Sequence, residues 1–460
     1  MKFKIPLLLM STLFITNCSS VKNQTRKVSS SDLDMEYVDV CNRQGDCKKF
    51  SRLIMGTDHL LQSDWTKNGQ PAMPEEEFAK VLDEAVKLGI NLFDTSPIYV
   101  GSVENRLGKW LDTRKQEIQK DEFYYAKDLN PDRKLYTISK GGFPFDLYYS
   151  KKLPAGSHSR ELKVKLHELG ILNTNASPSL AEGEIELHNI PPGTYASRLF
   201  GTVDQIKGRV AEEINHSSNQ LNQDITIYLM HRDDGDYLKF EKVERDQTPV
   251  QDIMEALSAP EISSKYWMVG WSNWKTERIN ESLKLSKMHS DLTLPALNSS
   301  YFSLFEMSER TIHAGGVQVT HEEMNTPDFQ KGIKQMSYSP LGGFSFFDKP
   351  EPRWENAKKD AKEKFDRGDA YWQNVYNAIF TETNKTRYDR VVEFTEKFNK
   401  EHNSNYSIDQ MVNAYALAHK RTDFLTVGPI TVEQLRRTVG ALKLSSMLSD
   451  DNLDYLYSGK

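Results

Sequence analysis

Cysteine is nearly absent from this chain, with three residues among 460, so no dense disulfide framework holds it together. No CxxC, HExxH or EF-hand pattern occurs either, and no structural metal is expected. The fold must therefore rest on an ordinary apolar core, and 38% hydrophobic against 27% charged residues is enough to build one. An excess of positive charge is also missing. Lys and Arg number 59 against 65 Asp and Glu, a formal net charge of -6 with no long basic block, which argues against nucleic acid as a partner.

The first residues are unlike the rest. Lys2 and Lys4 precede an apolar stretch, Ile5 to Ile15, that is too short to cross a bilayer as a mature helix, and Asn17-Cys18 follows. This layout resembles a bacterial lipoprotein signal, which implies a signal peptide over 1–18, lipidation of Cys18 and attachment to a cell-envelope membrane through that lipid. Asn17 departs from the small residue usual before such a cysteine. The competing reading starts translation at Met35 and leaves the protein in the cytoplasm. Residues 19–34 are polar and without periodicity, as a tether would be, ahead of a domain over 35–460.

Setting Cys18 aside leaves an even pair, Cys41 and Cys47. They flank Asn42-Arg43-Gln44-Gly45-Asp46, a stretch with turn chemistry between two strand-like runs, Glu36 to Val40 and Lys48 to Ile54. Facing hairpin positions can meet disulfide geometry, and an oxidising compartment would close the bond. Two reduced cysteines beside a turn are the alternative.

Downstream, apolar runs of strand length alternate with longer helical patterns. The strand candidates are Leu53 to Gly56, Asn91 to Asp94, Leu135 to Lys140, Ile225 to His231, Trp267 to Ser272, Leu294 to Asn298, Ile333 to Ser339 and Phe424 to Gly428. Between the first two, Phe78, Val81, Leu82, Ala85 and Val86 recur at helical spacing, and Gly89 ends that helix. Such alternation predicts a parallel sheet, open and doubly wound or closed as a (β/α)8 barrel. Two features favour the barrel. No Gly-x-Gly-x-x-Gly turn follows the first strand, and the polar residues of interest stand at the C-terminal ends of different strands. Two connections exceed ordinary loop length. One, an insertion over about 146–196 after the third strand, contains an alternating stretch from Gly183 to Tyr195 that suggests a small β element near the barrel mouth. The other, Gly343 to Thr422, carries helical patterns at Arg387 to His402 and Ser407 to Ala418.

The chemistry-bearing residues lie at those strand ends. Asn91-Leu92-Phe93-Asp94-Thr95-Ser96-Pro97-Ile98-Tyr99 sets a phenol five residues after a carboxylate, Leu135 to Gly142 carries Lys140, and Ile225 to Asp234 carries His231. These segments, in this order, resemble the aldo-keto reductase family across roughly residues 35 to 440, outside the insertion. The resemblance implies an NAD(P)H-dependent reductase of small carbonyl compounds with a tetrad of Asp94, Tyr99, Lys140 and His231. Tyr99 would be the general acid, and His231 would orient the carbonyl or assist proton transfer. A free phenol, with a pKa near 10, is a poor donor at neutral pH, so Lys140 is expected to lower the Tyr99 pKa while Asp94 keeps the ammonium charged and aimed.

The same resemblance implies NADPH as cofactor. Ser272 and Asn273 match the residues that hold the nicotinamide carboxamide, Tyr338 the ring that stacks on it, and Ser339 and Leu341 a backbone approach to the pyrophosphate. Gly56 and Thr57 at the first strand end join this set, as do Gly428 and Gln434 at the adenosine end, where a helix N-terminus suits a phosphate. Departures from the family pattern also occur. Asn298-Ser299-Ser300 stands where a glutamine is usual, so a serine or asparagine, with Ser299 in the site, must replace it. Arg437 stands where an acidic residue is common and is expected to bind the 2′-phosphate through its planar guanidinium. The alternative function is an envelope lipoprotein that uses a catalytically silent barrel to bind a ligand or partner.

Overall fold

In a computed structural model, the residues described are 33–61, 73–97, 99, 103–120, 122–123, 125–142, 152–153, 185–186, 203–233, 247–308, 317–326, 329–343, 349–366 and 376–460. The signal-like segment, Cys18 and most of the tether lie outside them, as does nearly all of the insertion. Within the insertion, Lys152–Leu153 (β6) pairs antiparallel with Ile185–Glu186 (β7), inside the stretch where alternation suggests a β element.

An antiparallel hairpin of Tyr37–Cys41 (β1) and Cys47–Ser51 (β2) comes first. Eight parallel strands follow: Leu53–Gly56 (β3), Leu92–Asp94 (β4), Tyr136–Gly141 (β5), Ile225–Met230 (β8), Tyr266–Ser272 (β9), Pro295–Tyr301 (β10), Lys334–Tyr338 (β11) and Phe424–Val427 (β12). They pair in chain order and β12 closes on β3, which makes a (β/α)8 barrel.

Strand alternation divides the core in two. Ile54, Leu92, Ile138, Ile227, Leu229, Met268, Leu297, Met336 and Phe424 form one cluster inside the barrel. Their neighbours Leu53, Met55, Phe93, Tyr228, Met230, Val269, Trp271 and Leu425 belong to the other, packed against helix residues such as Phe78, Val81, Ile253 and Leu435. Inside, there is little room: a Cβ on Gly270 would come within 2.4 Å of the Leu297 carbonyl oxygen.

The hairpin plugs the end of the barrel where the strands begin. Phe50 is fully buried among the interior residues, edge-on to Tyr136 at 5.3 Å and to Trp267 at 5.8 Å. Asn91, just before β4, fastens the plug by accepting from the Ser51 amide at 2.9 Å and donating to the Lys49 carbonyl at 2.8 Å. Cys41 and Cys47 face each other in register and are joined by a disulfide, with Cα atoms 4.0 Å apart.

Helices surround the strands. Glu75–Lys87 carries Glu75, Glu76 and Glu77 in its first turn, where they suit the helix dipole, and buries Phe78, Val81, Leu82, Ala85 and Val86. Gly89 follows with φ of 97°, the left-handed conformation that stops a helix. The long connection before β12 is built from Arg353–Asp366, Glu382–His402 and Ile408–Ala418, the last opened by a Ser407/Gln410 capping box. No helix among the described residues is long and apolar enough to cross a membrane.

Candidate active site

Extending the interior face of each strand by two residues reaches the barrel mouth, and there the side chains turn polar. Leu92 leads to Asp94, Ile138 to Lys140, Leu229 to His231, Leu297 to Ser299 and Met336 to Tyr338, while Met268 leads through Gly270 to Ser272. Register places Gly56 beside Asp94, Asp94 beside Ile138 and Lys140 beside Leu229, so charged side chains from adjacent strands converge.

The Lys140 ammonium is the hub. It lies 2.6 and 2.7 Å from the two Asp94 carboxylate oxygens, donates to the Thr95 carbonyl at 3.0 Å, and reaches the Tyr99 phenol oxygen at 2.8 Å. Tyr99 donates to Asp94 at 3.4 Å, and its ring packs on Leu61 and Val103. His231 meets the Tyr99 ring edge-on at 6.3 Å between centroids. Asp94, Lys140 and His231 are all buried, while Tyr99 keeps some exposure at the mouth.

Burial governs the electrostatics. It pushes the Tyr99 phenol well above its usual value of 10.0, and the Asp94 carboxylate pushes the same way. The expectation that the phenol falls below its usual value is therefore corrected: the net shift is upward despite the adjacent Lys140 ammonium. Sequence neighbours reveal charges, whereas the desolvation that outweighs them becomes visible only in the packed mouth. Burial also raises Asp94, against the pull of the Lys140 charge. His231 falls well below its usual value, first through burial and then through the charges of Lys140 and Arg232, so its imidazole is neutral.

Beside this cluster, Asn273 donates to the His231 carbonyl at 3.2 Å and to the Ser272 hydroxyl at 3.2 Å, and its amide oxygen accepts from the Tyr338 hydroxyl at 2.7 Å. Asn273 and Ser339 both adopt left-handed backbone, with φ of 58° and 53°. Ser299 faces the interior, and its carbonyl accepts from the Asn273 amide at 2.9 Å. Asn298 has the opposite parity and donates to Gln330 and Gln335, so of the polar residues standing where the family has glutamine, Ser299 faces the mouth. Half-buried Leu341 follows in the turn closed by the Gly342 amide on the Ser339 carbonyl at 3.0 Å.

The remaining candidates border the other side of the mouth. Thr57 is buried, with hydroxyl and amide both on the Asp94 carbonyl, at 2.9 and 3.0 Å. Gly56 is closely packed, since a Cβ there would come 3.1 Å from the Val427 carbonyl oxygen. Gly428 faces His59, and Thr431 caps the helix Val432–Ser445 through the Gln434 amide. The Gln434 side chain accepts from the Ile430 amide at 2.9 Å. Arg437 is partly exposed and stands 3.9 Å from the buried carboxylate of Asp409, which Arg353 also approaches at 3.6 Å.

Ser96 escapes a reading by motif. Its hydroxyl lies 3.4 Å from His231 Nδ1, across 135 residues of sequence. The available signal is its position, two residues past Asp94 and directly before a proline. Among the described residues no cluster of His, Cys, Asp and Glu is arranged to hold a metal ion.

The model of the aldo/keto reductase family matches residues 52–125 and 200–458, well over half of the chain. The chain belongs to the aldo/keto reductase family. Membership carries oxidoreductase activity on carbonyl compounds. The unmatched stretch contains the insertion and also β5, so Lys140 joins this site through barrel register and its contacts with Asp94 and Tyr99. No curated protein matches the chain.

Proposed function

We propose that the protein reduces an aldehyde or ketone to the alcohol with NADPH, Tyr99 delivering a proton to the carbonyl oxygen. The observation that carries this reading is the Lys140 ammonium, held 2.7 Å from Asp94 and 2.8 Å from the Tyr99 oxygen at the barrel mouth. A general acid must keep its proton until the carbonyl arrives and then lose it readily. Burial and Asp94 serve the first need by holding the phenol protonated. Lys140 serves the second, because an adjacent ammonium stabilises the phenolate as it forms. Neutral His231 has one ring N–H to offer the carbonyl oxygen, which orients the substrate without competing as a stronger acid.

The donor set fits a nicotinamide dinucleotide. Ser272, Asn273 and Ser299 offer hydroxyl and amide groups to a carboxamide, and Tyr338 offers an aromatic ring beside them. Backbone at Ser339 and Leu341, at Gly56 and Gly428, and at the N-terminus of Val432–Ser445 would hold the phosphates, with Gln434 and Arg437 toward the adenosine end. When bound, the cofactor supplies the hydride.

A chain from Ser31 onward keeps every described residue and is the form to test. NADPH should quench its tryptophan fluorescence, and the protein should turn over nitrobenzaldehyde. Tyr99→Phe should abolish turnover while keeping NADPH binding. Absence of both quenching and turnover in the parent chain would instead favour the silent, ligand-binding lipoprotein.

We further propose that residues 1–18 are a lipoprotein signal and that Cys18 tethers the barrel to a bacterial envelope. Support comes from the sequence layout and from the Cys41–Cys47 bond, since disulfides persist in oxidising compartments. NADPH is a cytoplasmic currency, and initiation at Met35 is the alternative that removes this tension. Labelled palmitate should enter the full chain and not Cys18→Ala; equal labelling, or none, would remove the anchor.

A further inference from the structure

A neutral imidazole carries one proton on either of two nitrogens, and the choice decides what His231 can do. If Nε2 holds it, that nitrogen can donate to a carbonyl oxygen; if Nδ1 holds it, Nε2 is a bare acceptor. The His231 backbone is fixed on both sides. Its amide donates to the Gly141 carbonyl at 2.7 Å, and its carbonyl accepts from Asn273. The Ser96 hydroxyl faces Nδ1 at 3.4 Å, at the long end of hydrogen-bond range.

Ser96 is itself well held. It is fully buried, its carbonyl accepts the Tyr99 amide at 3.0 Å, and Pro97 restricts the backbone immediately after it. The same residue therefore begins the turn that carries Tyr99 and touches the imidazole beside it. Resting on the reductase reading above, we infer that Ser96 is a positioning residue: its hydroxyl donates to His231 Nδ1, which leaves the proton on Nε2. The pairing works as other catalytic histidines do, where the bond made by one ring nitrogen sets the state of the other.

The experiment is nitrogen NMR on the chain with ¹⁵N-labelled histidine, the His231 signals being assigned by their loss in His231→Gln. In the parent protein Nδ1 should resonate as an unprotonated, pyridine-like nitrogen and Nε2 as a protonated one. Ser96→Ala should shift the pair toward the other tautomer or a mixture, and should lower kcat/KM for nitrobenzaldehyde about ten-fold with the Kd for NADPH unchanged. Ser96→Cys, a weaker donor of similar size, should fall between the two and serves in place of Ser96→Ala should the latter not fold. Protonated Nδ1 in the parent, or the same tautomer in parent and variant, overturns the inference. The NMR signature does not depend on turnover. A parent protein that shows it without reducing any carbonyl supports the Ser96 link and rejects the reductase reading.

Discussion

Lys140 and Asp94 stand on adjacent barrel strands with charged atoms 2.6 Å apart, and the same ammonium also binds the Thr95 carbonyl and the Tyr99 oxygen. An ammonium has three donors, and these contacts use all of them. Lys140→Met should therefore lower kcat by about 10²- to 10⁴-fold, the usual contribution of assisted proton transfer. It should also destabilise the fold by about 3–5 kcal/mol, because a buried carboxylate loses its partner. Adding Asp94→Asn to Lys140→Met should restore much of the melting temperature and none of the activity. Recovery of turnover in the double variant would mean that the pair matters only to the fold.

The pH dependence follows from the direction of two shifts. With the phenol raised above 10.0, the proton donor keeps its proton and stays neutral through neutral and moderately alkaline solution. With His231 lowered below 6.5, the imidazole stays neutral on the acid side. Both directions widen the plateau, so kcat/KM at constant cofactor should be flat between about pH 6 and about pH 9. An alkaline limb centred near neutrality, absent from Tyr99→Phe background rates, would show that Lys140 dominates and the phenol is lowered after all.

Much of the barrel is legible in the sequence because every inward residue obeys a period of two, and the same count that buries Leu92, Ile138 and Leu229 delivers Asp94, Lys140 and His231 to one mouth. The strand around Asn298 shows where reading stops. Asn298-Ser299-Ser300 has the composition of a loop, yet Pro295–Tyr301 continues through it, since pairing with β9 and β11 satisfies its backbone. Its parity, and hence which polar residue faces the site, required the register. The phenol's shift is hidden for another reason: it depends on burial, part of it by a distant segment at Leu61. Ser96 carries no sequence signal for its contact, because His231 follows a different strand, 135 residues away.

At the opposite end of the barrel the hairpin should matter to stability and little to catalysis. Phe50 fills the interior below the strands, so Phe50→Ala should cost about 3–5 kcal/mol. The disulfide closes a short loop, with a sequence separation of 6, so reducing it should cost about 2 kcal/mol in the chain-entropy account. Thermal melts with and without reductant measure this. Parallel assays should show kcat unchanged in the cool range where both forms are folded. A loss of kcat on reduction there would mean that the plug transmits to the mouth.

Arg437 offers the sharpest test of cofactor choice. Its guanidinium is partly exposed but stands 3.9 Å from Asp409, whose buried carboxylate is also 3.6 Å from Arg353. A 2′-phosphate would have to share Arg437 with that carboxylate. Arg353 would remain to balance Asp409, so the exchange is feasible and its net yield modest. A charge-assisted hydrogen bond contributes about 1.5–3 kcal/mol, and the weakened ion pair offsets part of it. Arg437→Ala should therefore raise the Kd for NADPH about ten-fold and leave that for NADH unchanged, as read by fluorescence titration. Asp409→Asn, which removes the competing charge, should shift the preference further toward NADPH. Should Arg437→Ala weaken both dinucleotides equally, or neither, Arg437 serves the Asp409 cluster alone and the 2′-phosphate binds elsewhere.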